Sequence, residues 1–319
     1  KFCASGLGIP FWTMPTAPSM NGYTSGIAAL QVNGLKRTLP TAPPQRIYAI
    51  PSVVRSAPIK LMQAGFCDVM AKVVSDIDWQ CESMLASDSY CRLPSVLMAD
   101  VEPRYKNYPE EIGRGGEDAA NGLFQGLLIS GVAMSLAGSS APASGGEHLL
   151  SHFLDMREPI TGRVPELHGL QVGIGILLST ACYQRLSAIS KSDLPYSALR
   201  CYDETERRIS NIWQHLAPEV KAQFQGKRDI LLSFAELFPA NFEKLMALFN
   251  QVESPDYYFS LFSRIGTPFS LKSFNLDKTE FRLAALNCRA IRNRITVLDF
   301  AAHAGVLEDA VEDVVTLMS

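Results

Sequence analysis

The sequence predicts a small α/β segment over residues 1–55 followed by a larger all-helical domain over residues 56–319. Three observations carry this. Short apolar runs, "IPFWTMP" (9–15) and "RIYAIP" (46–51), read as buried strands separated by turn-rich linkers. From residue 56 the apolar spacing changes to the helical period. No convincing strand pattern follows residue 60.

Between the two runs lie "TAPSMNGYTS" and "NGLKRTLPTAPPQ", rich in turn formers. Ser56 is placed to N-cap a helix over "APIKLMQAG", with Pro58 in its first turn and Gly65 closing it. "CDVMAKVVSDIDWQ" then reads as an amphipathic helix, ended near Asp76, Asp78 and Trp79. "GRGG" (113–116) is a loop before the long apolar helix "EDAANGLFQGLLISGVAMSLAG". Helical spacing continues through "EHLLSHFLDM", "HGLQVGIGILLSTACYQRLSAIS", "SALRCYDETERRISNIWQHL", "KRDILLSFAELF", "FEKLMALFNQV", "EFRLAALNCRAIRNR" and "VLDFAAHAGVLEDAVEDVVTLM".

The 319 residues are 47% hydrophobic, enough for one large or two ordinary domains with a substantial core. The net charge of −3 and the lack of any basic run argue against a nucleic-acid partner. Seven scattered cysteines without a CxxC pair point to reduced thiols and a cytoplasmic setting. The run from 123 to 138 is short for a membrane span and carries Gln125, Ser130 and Ser135, which suits a buried core helix.

Candidate chemistry centres on "SSAPASGGEHLLSHFLD" (139–155). His148 and His152, four apart, share a helix face. They are open to metal binding, substrate contact or plain packing. Ser144-x-x-Glu147 matches a capping box. Leu149 after His148 rules out the HExxH pattern. His168 starts a helix, where the dipole keeps an imidazole neutral and fit to ligate, though from local sequence a plain polar helix start is the favoured explanation. Asp68 is either a first-turn carboxylate, paired with Lys72, or a ligand. One carboxylate and two imidazoles suit a catalytic divalent ion with an open position. The same donors also suit Fe(II). "TAPSMNG" offers the hydroxyls and backbone donors that α/β proteins turn toward cofactors, or an ordinary strand-to-helix loop. His215 and His303 are isolated, "DETERR" (203–208) reads as a solvated face, and no GxSxG, GxGxxG or GxxxxGK[ST] occurs.

The segments "GIPFWTMPTAPSMNGYTS", "APIKLMQAGFCDVMAKVVSDIDW", "SGVAMSLAGSSAPASGGEHLLSH", "HGLQVGIG" and "TVLDFAAHAG" together resemble the sn-glycerol-1-phosphate dehydrogenase branch of the iron-containing alcohol dehydrogenase and dehydroquinate synthase-like superfamily. The resemblance implies a partial dinucleotide-binding domain over 1–55, a helical metal- and substrate-binding domain over 56–319, and a site in the cleft between them. It gives Asp68, His148 and His168 the role of metal ligands and catalytic residues, with zinc as the expected ion and iron or nickel as others. His152 and Asn21, with Asp68, fall on substrate-contacting positions. Thr16, Ala17, Pro18, Ser19 and Ser25 fall on positions that contact NAD or NADP. The implied substrate is a polyol or glycerol phosphate interconverted with its ketone (sn-glycerol 1-phosphate with dihydroxyacetone phosphate), and self-association is expected. Cyclases of the same architecture have Glu where Asp68 stands, which favours a dehydrogenase over a cyclase; a metal-dependent hydrolase is disfavoured because the surrounding strings do not resemble one.

Four departures qualify that expectation. Family members usually have Asp at the position of Asn21, Arg at that of Ala141 and Glu at that of Leu170. Losing the arginine weakens a phosphorylated substrate, and Leu170 is expected to loosen support around His168. The family's glycine-rich loop falls just before Lys1, so about one hundred family residues are expected upstream. A truncated or degenerate homologue that binds metal or partners without dehydrogenase activity is the alternative expectation.

Overall fold

The computed structural model describes residues 1–85, 89–195 and 199–319. The expected helix start at Ser197 and Ala198 and the side chain of Cys201 lie outside the described residues.

Four strands precede the helical body. β1 (Trp12–Thr13) pairs in parallel with β4 (Arg46–Ile47), and β2 (Ile27–Val32) pairs antiparallel with β3 (Leu35–Pro40). The β2–β3 hairpin corrects the reading of "NGLKRTLP" as a linker. Asn33 and Gly34 have φ of 52° and 82°, the two left-handed residues of a turn whose twist suits a two-residue hairpin. The expected buried strands at 9–15 and 46–51 are a second correction. Each is two residues long, and Trp12 and Met14 are both 61% exposed. A two-stranded parallel sheet without helices on its faces cannot bury its side chains, whatever their composition. Arg46 instead lies over the Trp12 ring at 5.7 Å.

Among the described residues no strand follows Ile47, as the change of period predicts. The helix Ile59–Met70 departs from the reading at both ends. Pro58 is its N-cap, while Ser56 closes the turn Pro51–Arg55, its hydroxyl donating to the Val53 carbonyl (2.8 Å). Gly65 does not end the helix but lies inside it, where a Cβ would come 1.8 Å from the Pro18 carbonyl oxygen. Glycine is there to let the 15–21 loop touch the helix backbone. The chain breaks at Ala71 and resumes as Lys72–Leu85, so the single helix expected over 67–80 is two. Asp76, Asp78 and Trp79 lie within the second helix rather than finishing it.

The long helix Glu117–Ala137 forms as expected, ended by left-handed Gly138. By length and composition it is apolar enough to cross a membrane, yet 61% of that window is buried against the protein. The helices Gly146–Thr161 and His168–Ser187 run past each other antiparallel, with Glu147 opposite Gly175 and Ser151 opposite His168. Glycine again sets the distance. A Cβ at Gly175 would stand 2.0 Å from the Glu147 carbonyl oxygen, and one at Gly169 2.0 Å from that of Ala64. Three helices thus meet backbone to backbone, and the functional side chains project from that junction.

The expected C-terminal helix is two, Val297–Ala304 and Leu307–Leu317, parted by left-handed Gly305. Both pack on His168–Ser187. The preceding 288–296 segment is tied down by a fully buried Lys227. Its ammonium donates to both Asp299 oxygens (2.8 Å each) and to the carbonyls of Arg289 (2.7 Å) and Arg294 (3.2 Å). All six described cysteines are free thiols.

Candidate active site

Asp68 comes from the last turn of Ile59–Met70, not from a helix start. Its side chain points inward and is fully buried, so it cannot pair with Lys72, which binds Glu102 at 2.7 Å instead. Asp68 Oδ2 accepts the backbone N–H of Asn21 (2.8 Å). Its other oxygen, Oδ1, is buried without a hydrogen-bond partner. Two imidazoles face it. His148 Nε2 is 3.4 Å away and His168 Nε2 3.9 Å. One ligand atom from each of the three residues lies within 4.8 Å of the others.

That arrangement fits a divalent ion. With metal–ligand bonds of about 2.1 Å and tetrahedral angles, ligand atoms stand about 3.4 Å apart. An orphaned carboxylate oxygen between two ring nitrogens is costly unless a cation joins them.

The ring nitrogens that face away are held. His148 Nδ1 meets Glu147 Oε1 at 2.7 Å, and His168 Nδ1 meets Ser151 Oγ at 2.8 Å. The Glu147 carboxylate accepts the Nδ1 proton of His148 and turns its Nε2 toward Asp68, and the Ser151 hydroxyl holds the His168 ring in place. Burial alone would lower His148, but the neighbouring carboxylates of Asp68 and Glu147 outweigh it and raise the imidazole to about 9. His168 lies below its ordinary value, chiefly through burial. Burial also holds His152 well down, helped by the Arg292 charge.

Glu147 therefore does more than the capping box assigned to it. The box itself is a correction. Gly145, not Ser144, is the N-cap, so the S-x-x-E register is off by one, and no Ser144 side-chain bond forms. Only the glutamate half remains, with Glu147 Oε1 accepting the Gly145 N–H (2.7 Å). Ser151, which no sequence motif marks, contacts His168 Nδ1, and Leu170 is buried.

Beneath this lies Asp78, read as a helix end but fully buried. It accepts from Tyr183 Oη (2.6 Å), Gly146 N–H (2.7 Å) and Val297 N–H (2.7 Å). Burial pushes it up to about 7 against those hydrogen bonds. It fixes the start of the helix that carries His148.

The three ligands open on a cavity of about 700 Å³, whose walls include His152, Asn21, Ser25, Lys36 and Thr38. His152 is one turn beyond His148, its ring stacked on His168 at 5.7 Å and its Nδ1 3.3 Å from Arg292 Nη2. Asn21 Nδ2 is buried with no partner. Ser25 is buried, its hydroxyl held by the Lys1 ammonium (3.0 Å). The remaining residues of the expected cofactor set do not reach the cavity walls. Thr16 is exposed, Ala17 carries the carbonyl bonded by Tyr23, Pro18 abuts Gly65, and the Ser19 N–H donates to Tyr23 Oη (3.3 Å). No local sequence signal marks Lys36, Thr38 or Arg292 as site residues. Arg292 lies 140 residues from the histidine it touches, beyond any local signal.

The helical body, the glycine-spaced helix junction and the Asp–His–His set make a candidate metal site in a fold shared with iron-containing alcohol dehydrogenases. The iron-containing alcohol dehydrogenase family model matches residues 1–58. Solved structures agree in fold. A glycerol dehydrogenase from Schizosaccharomyces pombe aligns over 99% of this chain and 66% of its own, with TM-score 0.57 and 14% identity. A probable glycerol dehydrogenase from Sinorhizobium meliloti 1021 aligns over 99% and 73%, with TM-score 0.58 and 14% identity.

Sequence relatives narrow this further. The glycerol-1-phosphate dehydrogenase [NAD(P)+] of Geobacillus stearothermophilus is 36% identical over 94% of this chain and 67% of its own length. That of Bacillus licheniformis is 29% identical over 96% and 65%. That of Methanothrix thermoacetophila is 35% identical over 56% and 49%. The chain belongs to the glycerol-1-phosphate dehydrogenase family. It spans between about half and two thirds of the length of these relatives.

Proposed function

We propose that the chain holds the metal and substrate site of an NAD(P)-linked dehydrogenase that interconverts a glycerol phosphate and its ketone. One observation carries the reading: the buried, unpartnered Asp68 Oδ1 faced by His148 Nε2 and His168 Nε2. When bound, the ion polarises a ketone or alcohol oxygen and the nicotinamide exchanges the hydride. Zinc is the ion we assign, on the imidazole-rich donor set.

The chain's own residues do the rest. Asp68, His148 and His168 hold the ion, while Glu147 and Ser151 aim the two imidazoles. With Nδ1 accepting from Arg292, His152 carries its proton on Nε2, suited to donate to a substrate hydroxyl or relay a proton. The Asn21 amide, buried and unpartnered, is a donor for another substrate oxygen. The test is turnover of dihydroxyacetone phosphate with NADH or NADPH by metal-loaded protein; metal-loaded protein that binds neither ketone nor nicotinamide refutes it.

A second reading, a homologue that holds metal without oxidoreduction, rests on a separate observation. Of the five residues assigned to the cofactor, only Ser25 lines the cavity, and Lys1 engages its hydroxyl. NADH fluorescence separates the two: no binding at millimolar NADH favours the second.

A further inference from the structure

We propose that Arg292, with Lys36 and Thr38 beside it, is the anion subsite that holds the phosphate arm of the substrate. The inference rests on the reading of the cavity above and names the group that recognises the charged end. Arg292 is half-buried, yet among the described residues no carboxylate pairs with it. Its Nη1 donates to Thr38 Oγ1 (3.1 Å) and its Nη2 lies 3.3 Å from His152 Nδ1, both neutral partners. Other arginines differ. Arg185, Arg264 and Arg282 each hold a carboxylate on the surface, and Arg294, two residues on, holds Glu82 at 3.1 Å.

A buried guanidinium without a counter-ion is costly. Arg292 stands one side chain behind the wall of the substrate cavity, in the small void that adjoins Ser140 and Ser144. Thr38 and His152, the two partners of Arg292, both line the substrate cavity, as does Lys36, whose ammonium is 2.9 Å from Asp155. A guanidinium has five N–H donors in a planar fork, so two contacts leave donors for a tetrahedral anion.

Position matters as much as charge. Arg292 touches His152, and His152 stacks on the ligand His168. A group held by Arg292 therefore sits one imidazole beyond the metal, a separation that a three-carbon chain spans. The anchor is stiff, because Lys227 binds the Arg289 and Arg294 carbonyls on either side of Arg292. The subsite also answers Ala141. The positive charge expected there comes instead from the 288–296 segment, while Ser140, the neighbour of Ala141, lines a small void together with Arg292 and Arg294.

Calorimetric titration of the zinc-loaded chain with dihydroxyacetone phosphate, dihydroxyacetone and inorganic phosphate tests this, using wild type, Arg292→Gln and Arg292→Lys. Arg292→Gln is expected to weaken dihydroxyacetone phosphate about ten- to hundredfold, to abolish phosphate binding and to weaken dihydroxyacetone far less, since the glutamine amide can still donate to His152 Nδ1. Arg292→Lys should recover part of the loss. Unchanged dihydroxyacetone phosphate affinity in Arg292→Gln overturns the proposal. So does an equal loss for dihydroxyacetone, since Arg292 would then act only through His152. Phosphate binding that depends on Arg292, without binding of either ketone, keeps the subsite and sinks the ketone reading. Wild type that binds neither phosphate nor the phosphorylated ketone sinks the subsite. Should Arg292→Gln not fold, Arg292→Lys and Lys36→Met carry the same comparison: selective weakening of the phosphorylated ligands supports the subsite, and its absence overturns it.

Discussion

Gly65→Ala isolates the contact that couples the N-terminal loop to the metal site. A Cβ at position 65 would stand 1.8 Å from the Pro18 oxygen and 2.8 Å from its carbonyl carbon. Ordinary C···O contacts lie at about 3.3 Å or more, so the loop must withdraw by roughly 1.5 Å. Both partners are backbone and cannot rotate aside. Alanine is the better helix former by about 1 kcal/mol, which opposes the clash. Overpacking costs about 1–3 kcal/mol. The retreat also strains the Asn21 N–H to Asp68 bond (2.8 Å), a buried charge-assisted bond worth about 1.5–3 kcal/mol. The net expectation is a destabilisation of about 2–4 kcal/mol, read as a lower urea midpoint at unchanged slope, together with weaker zinc binding. Gly6→Ala is the control, since a Cβ there meets nothing within 4 Å. Gly65→Ala that matches wild type in both stability and zinc affinity refutes the reasoning.

Other perturbations have equally definite outcomes. Asp78→Ala orphans the Tyr183 hydroxyl and two backbone N–H groups, and is expected to cost about 3–5 kcal/mol in denaturant melts. Asp78 also gives wild type a pH signature. Its native value is raised from 3.8 to about 7, so across that window the native state keeps a proton that the unfolded chain releases. This contribution therefore falls as pH rises from about 4 to about 7, and comparing the slope of stability with pH in Asp78→Asn shows whether it disappears. Glu147→Gln keeps an acceptor near His148 but removes the charge. Zinc affinity should drop about 10- to 100-fold, measured by chelator competition, while the circular dichroism spectrum stays unchanged. Lys227→Met leaves Asp299 with Arg289 as its remaining cation and should cost about 3 kcal/mol or more in thermal melts.

The parts legible in the sequence were those written in local strings. Periodicity located the helices around His148 and His168 and placed the long Glu117–Ala137 helix as a packed element. Resemblance, not spacing, singled out Asp68, because nothing local says that residues 68, 148 and 168 converge. The hairpin at Asn33-Gly34 is legible in the sequence, as a turn-forming dipeptide between two strand-length runs. Composition misled at Trp12 and Met14, since apolar character states what a side chain prefers and not whether a neighbouring layer exists to cover it. Gly65 is ambiguous in sequence, because a glycine that ends a helix and one that admits another backbone look alike. Glu147 had a sufficient local explanation, which hid its contact with His148 Nδ1.

Metal content, measured by inductively coupled plasma mass spectrometry on wild type and His148→Ala after zinc loading and desalting, tests the central claim most directly. The account predicts one divalent ion per wild-type chain and its loss from His148→Ala. Wild type that retains no ion, or His148→Ala that keeps the full complement, contradicts it.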